Sequence, residues 1–146
     1  MFNNILFPTD GSDLSDKAAA TVIELARKHG GKIVAISVLQ PYPFVPMGDS
    51  GVAVPDVGTY ETRMMDITND NVNKVAAAAS AAGIACDTVT SMAASPYEAI
   101  VEAAEKHGCD AIVMASHGRK GLNKLFLGSE TQKVLAHTKL PVLVLR

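Results

Sequence analysis

Five short apolar runs recur along the chain, at Asn4–Pro8, Lys32–Val38, Cys86–Met92, Ala111–Ala115 and Val142–Leu145. They show little apolar/polar alternation, which is the pattern of strands covered on both faces in a parallel sheet. Between them, helical patterns cover Ser12–His29, Thr59–Ala82, Ser95–His107 and Ser129–His137. Strand–helix alternation of this kind specifies an α/β fold. With 146 residues and no linker or internal repeat, the chain reads as one domain, 1–146.

The helix ends carry their own signals. Ser95-Pro96-Tyr97-Glu98 and Ser129-Glu130-Thr131-Gln132 read as capping boxes, the first with proline at the first helical position. Gly30-Gly31 supplies the stop of the first helix. On the second helix, Met65, Val72, Val75, Ala76 and Ala79 fall near one face and read as core.

Right-handed crossovers with two helices on each face fit an open five-stranded parallel sheet of order 3-2-1-4-5, and the order 2-1-3-4-5 also obeys the rule. We take the first. In it the winding reverses between strands 1 and 4, and open α/β sheets bind ligands beyond the strand C-termini at such a point. The turns that meet there are Thr9-Asp10-Gly11-Ser12 and the stretch 116–127.

The second of these lies in the most chemically loaded segment, Ala115–Ser129. It holds Gly118, Gly121 and Gly128, the cations Arg119, Lys120 and Lys124, and the hydroxyls of Ser116 and Ser129. Glycines at positive φ expose successive N–H groups as an anion nest, and the helix that follows adds its own unpaired donors. Arginine adds a bidentate phosphate contact. The reading is phosphate binding; the bland alternative is a basic surface turn with Ser129 as a cap. The net charge of −2 excludes a global field for nucleic acid or an anionic membrane, so an anion site must be local. Neither Gly-Lys-[Ser/Thr] nor G-x-G-x-x-G occurs, so the mode is neither a Walker A loop nor a dinucleotide fingerprint.

Asp10 would repel phosphate directly. It suits a hydrogen bond from ribose or base, or a Mg²⁺ ion, or it simply shapes an Asp-Gly turn. The main chain near Val38 offers a polar edge to a flat base. His117 has no Ser–His–Asp or Cys–His partner in evidence and reads as a loop hydrogen-bonding group. His29, His107 and His137 lie near helix C-termini and read as structural. Cys86 and Cys109 lack metal spacing and read as small reduced thiols. Residues Met1–Pro8 lack the features of a signal peptide, and no run approaches the ~18–20 apolar residues that cross a bilayer. A cytoplasmic protein without membrane association is expected. The Pro- and Gly-rich stretch 40–58 excludes a continuous helix or inner strand. It reads as a surface excursion or, leaving strand 2 on the ligand side, as a flap.

Three segments carry a family resemblance: Ile5-Leu6-Phe7-Pro8-Thr9-Asp10-Gly11-Ser12, Ser116-His117-Gly118 with nine residues to Gly128-Ser129, and Pro141-Val142-Leu143-Val144-Leu145. Over its whole length the chain resembles a universal stress protein of the nucleotide-binding type. The resemblance implies an adenine nucleotide alpha hydrolase-like fold and the ATP-binding pattern G-x2-G-x9-G-[ST]. Gly118, Gly128 and Ser129 match it, whereas Ala115 replaces the first glycine and its methyl must find room. It implies that Pro8, Thr9, Asp10 and Val38 contact the nucleoside. Met114, Ala115, His117, Gly118, Arg119, Gly128, Ser129, Glu130 and Thr131 would line the remainder and the phosphates, with Mg²⁺ accompanying ATP. It also implies a homodimeric regulator of stress response with a downstream protein partner, and at most slow ATP hydrolysis or autophosphorylation. Independently, Val142–Leu145 reads as an uncovered apolar edge strand suited to pairing across a two-fold axis. The rival readings are a nucleotide-independent dimerisation module and, through the Thr9–Ser12 turn, an adenylyl-transfer or ATP-pyrophosphatase-like enzyme.

Overall fold

The computed structural model describes residues 1–42, 56–118 and 126–146. In chain order these form β1 (Asn4–Pro8), α1 (Asp13–His29), β2 (Lys32–Leu39), α2 (Val57–Ala81), β3 (Cys86–Met92), α3 (Pro96–Lys106), β4 (Ala111–Ala115), α4 (Ser129–His137) and β5 (Val142–Leu145). All five strands are parallel in one sheet of order β3-β2-β1-β4-β5. β1 is therefore the pivot, paired with β2 through Pro8↔Ile36 and with β4 through Leu6↔Ile112.

The inner strands are apolar because both of their faces are covered. Ile5, Phe7, Ile33, Ala35, Val113 and Ala115 pack with Val22 and Ala26 of α1 and Val72, Val75 and Ala79 of α2. The alternate positions Leu6, Val34, Ile36, Ile112 and Met114 pack with Ile100 and Ala104 of α3 and Val134 of α4. Each fully buried Ile or Leu contributes about 1.5–3 kcal/mol. The edge strands β3 and β5 are only partly covered. On α2 the expected stripe divides: Val72, Val75 and Ala79 are buried, but Met65 and Ala76 are only half-buried.

Helix entry differs from expectation at two places. Ser12 does cap α1, accepting from the Ser15 N–H at 3.2 Å. Neither predicted capping box forms, however. Ser95 precedes α3 without a side-chain cap bond, and Gly128 rather than Ser129 occupies the cap position of α4. The donor at the start of α3 is satisfied from elsewhere: Glu130 of α4 accepts from the Tyr97 N–H at 3.0 Å. A tertiary carboxylate takes the place of the Ser95 hydroxyl as acceptor, and Glu98 accepts from the Tyr97 hydroxyl at 2.9 Å.

Asp56 caps α2 through Gly58 N–H at 3.2 Å, so the helix opens two residues before Thr59. The remainder of the Pro/Gly-rich stretch, 43–55, lies outside the described residues, and so do both readings of it. Among the described residues no helix is long and apolar enough to cross a membrane.

Gly31 marks the tightest backbone approach at the opposite end of the sheet. A Cβ there would lie 2.2 Å from the Phe2 carbonyl oxygen, against main chain that also carries the Lys32 N–H to Asn3 C=O bond. Gly31→Ala is expected to cost about 1–3 kcal/mol, the range for overpacking. It should appear as a lower urea midpoint at unchanged slope.

Candidate functional site

At the C-terminal end of β1 the chain turns sharply. Asp10 Oδ1 accepts from the Ser12 N–H at 3.0 Å, and Gly11 takes φ 70°. Thr9 is buried, receiving the Ser15 hydroxyl at 2.9 Å and the Gly11 N–H at 3.3 Å on its Oγ1. Asp10 thus does shape an Asp-Gly turn. Its other oxygen, Oδ2, faces the turn after β4.

That second turn is clasped at both ends. His117 contacts the Ser116 hydroxyl through Nδ1 at 2.9 Å and the Phe126 carbonyl through Nε2. A carbonyl only accepts, so Nε2 is the donor there, while the Ser116 hydroxyl can serve Nδ1 as donor or acceptor. His117 is the loop hydrogen-bonding group expected, with both nitrogens engaged. The Gly128 N–H donates to Ser116 C=O at 2.8 Å, and buried Thr131 donates to Ala115 C=O at 3.2 Å. Together they press the start of α4 against the end of β4.

Glycine serves closeness here, not left-handed φ. Gly118 is not among the positive-φ residues, contrary to expectation. A Cβ on Gly118 would sit 2.5 Å from Asp10 Oδ2, and one on Gly128 would sit 2.9 Å from Ser116 O. The β1 and β4 turns are in contact. Gly121 and Arg119 lie outside the described residues.

Between these turns lies a cavity of about 540 Å³, within the range of small-ligand sites. It is lined by Pro8, Thr9, Asp10, Val38, Met114, Ala115, His117, Gly118, Ser129, Glu130 and Thr131. Gly128 lies behind this surface, at the cap of α4. Ala115 lines the cavity, is 8% exposed and also belongs to the core cluster under α1. Glu130 borders the cavity, but its carboxylate is committed to the start of α3 and to Lys133 at 3.0 Å. It is a brace between α3 and α4 more than a ligand group.

The ladder explains what Val38 offers. Ile36 C=O accepts from the Thr9 N–H at 2.8 Å and Leu39 C=O from the Ala93 N–H at 2.9 Å. Alternation along β2 then turns the Val38 N–H and C=O toward the β1 side. The last β1 pair is Pro8↔Ile36, so β1 has already left at that level.

One wall escaped the sequence reading. Tyr60, Met64, Ile67, Thr68 and Asn71 of α2 line the same cavity. A helix of 25 residues runs ~37 Å, while the eight residues of β2 span ~26 Å, so the first turns of α2 overhang the strand ends. Their i, i+4, i+7, i+8, i+11 spacing was a visible signal of one face.

The cysteines are free and carry no site. Burial, with the Asp110 carboxylate adding to it, pushes the Cys109 thiol up to about 11, and burial also raises Cys86. Neither is a ready thiolate. Among the described residues no group of three or more His, Cys, Asp or Glu could hold a metal ion.

The model of the universal stress protein family matches residues 1–146. The chain belongs to this family. It is 32% identical to a universal stress protein of Methanocaldococcus jannaschii, over 100% of this chain and 83% of that one. It is also 32% identical to a universal stress protein of Thermus aquaticus over 100% of both. Among solved structures, the protein MJ0577 superposes with TM-score 0.83 at 24% identity, covering 99% of this chain and 96% of the other. The Archaeoglobus fulgidus universal stress protein in complex with dAMP superposes at 0.69, with 17% identity and 100% of both chains covered. A universal stress protein in complex with cAMP superposes at 0.66, with 21% identity, covering 99% and 97%. At these identities the structural likeness establishes the fold, α/β with the sheet order described above.

Proposed function

We propose that this universal stress protein domain, 1–146, binds ATP with its Mg²⁺ in the crevice between the β1 and β4 turns and acts as a regulatory module. The observation that carries this reading is the contact between Gly118 and Asp10, which makes one cavity of two turns with complementary chemistry. At one end, the α4 N-terminus and the exposed Ser129 hydroxyl suit phosphate oxygens. At the other, the Val38 main chain and the apolar side chains of α2 suit a flat base. Asp10 between them suits a ribose hydroxyl or the ion. Relatives of the same fold in complex with dAMP and cAMP support a nucleotide as the ligand class.

The role is binding more than turnover. Among the described residues, both His117 nitrogens are engaged and Asp10 Oδ1 is held by its turn, an arrangement that suits holding a ligand in place. Regulation requires that ATP bind two conformations unequally. Mass spectrometry of small molecules released from freshly purified protein tests the reading. An adenine nucleotide at near-stoichiometric yield is expected; empty protein that also fails to bind added ATP would refute it.

The proposed homodimer would form through β5. The strand is an edge of the sheet, and Leu143 is 37% exposed on it. Antiparallel pairing with a second β5 closes that edge. Leu143→Lys is expected to yield a monomer by light scattering with the helical content unchanged. A dimer of undiminished stability would place the interface elsewhere. A reducing cytoplasm suits the two free, burial-raised thiols.

A further inference from the structure

Among the described residues, the cavity is lined by two carboxylates, Asp10 and Glu130, and by no lysine or arginine. Asp10 has its turn to hold. Glu130 is the unexpected one. It stands in the first turn of α4, beside Ser129, at the end of the crevice that suits phosphate oxygens.

The carboxylate is fixed there. Its Oε2 accepts from the Tyr97 N–H at 3.0 Å, and its Oε1 accepts from the Lys133 ammonium at 3.0 Å. Lys133 is itself held, with Nζ 5.6 Å from the centre of the Tyr97 ring. A main-chain N–H and an ammonium only donate, so these bonds have a single reading. Swinging the charge away from the crevice breaks both of them.

An acidic residue at a helix N-terminus is stabilising because it meets the positive end of the helix dipole. A phosphate bound at the same helix end draws on the same field. Glu130 and the ligand therefore compete for one potential, and Lys133 offsets part of the carboxylate's charge.

We propose that Glu130 and Lys133 grade the crevice by phosphate-chain length: the Glu130 carboxylate opposes each added phosphate, and Lys133 limits that opposition. The site then gains less from a triphosphate over a monophosphate than the α4 donors alone would give. Glu130 is a specificity-determining residue, and Lys133 acts through it as a positioning residue. The inference rests on the nucleotide reading above and adds how the site ranks mono-, di- and triphosphates.

Calorimetric titration of the full chain with AMP, ADP and ATP tests it at low ionic strength, where exposed charges act furthest. Runs without Mg²⁺ let the ligand's charge grow with each phosphate. Glu130→Gln keeps an oxygen for the Tyr97 N–H and removes the charge. It is expected to raise the ratio of ATP to AMP affinity at least about threefold, with ADP between. Lys133→Met keeps the aliphatic stem and the Glu130 charge, and should lower that ratio. Both shifts should shrink at high salt. If the pair were only a brace, breaking it from either side would move the ratio in the same direction or not at all. That result, or equal gains for all three nucleotides, would overturn the charge assignment and leave the nucleotide reading standing. Wild-type protein that takes up none of the three, with or without Mg²⁺, would overturn both.

Discussion

Gly118→Val is expected to reduce ATP affinity at least about tenfold, a loss of roughly 1.4 kcal/mol or more, with the fold retained. The reason lies in one short approach. Even a Cβ at Gly118 would come within 2.5 Å of Asp10 Oδ2 and 3.5 Å of its Cγ. Asp10 cannot simply swing away, because its other oxygen holds the Ser12 N–H at 3.0 Å in the turn that starts α1. Either the Asp10 turn opens or the β4 turn moves outward, and both changes separate the walls of the crevice. Gly118 itself is solvent-exposed and outside the core clusters, so global stability should change little. Calorimetry with ATP, beside thermal melts of both proteins, reads the two effects independently. Unchanged ATP affinity would mean that the turns do not act as one site.

Gly128→Val should act on both stability and binding. The added Cβ would meet Ser116 O at 2.9 Å and the His117 Cα at 3.3 Å. These are backbone atoms, and the Gly128 N–H to Ser116 C=O bond of 2.8 Å fixes their separation. Relief requires the start of α4 to lift from β4, which strains the Thr131 bond to Ala115 C=O as well. A cost of about 1–3 kcal/mol is expected from overpacking. Because Ser129 and the free N–H groups of α4 move with it, ATP affinity should fall beyond what Gly118→Val causes. A stable variant with wild-type affinity would show that the α4 N-terminus does not hold the phosphates.

What could be read from the residues divides along a physical line. The inner strands were legible because Ile5-Leu6-Phe7 and Ile33-Val34-Ala35 are buried on both faces, which leaves an unbroken apolar signature. Handedness narrowed the sheet order only to 3-2-1-4-5 or 2-1-3-4-5, and it is the pairing of β1 with β4 that selects the first. The α3 capping box was misread because local spacing is blind to Glu130, which reaches from α4 to the Tyr97 N–H, and the α4 box because Gly128 takes the cap position one residue early. Gly118 was singled out for a left-handed φ that it does not adopt, whereas the position demands room beside Asp10. Tyr60, Met64, Ile67 and Asn71 were passed over because a helix longer than its strand has two tasks. Its later turns pack the core, and its first turns roof the crevice.

The central claim is that the ends of β1, β2 and β4 hold one nucleotide together. Amide chemical-shift mapping during an ATP titration tests it most directly. Concerted saturable shifts are expected at Thr9–Ser12, at Val38, at His117–Gly118 and at Ser129–Thr131, with the opposite ends of the strands, near Asn4, Lys32 and Asp110, unmoved. Shifts confined to one of those turns, or clustered at the opposite end of the sheet, would contradict the account.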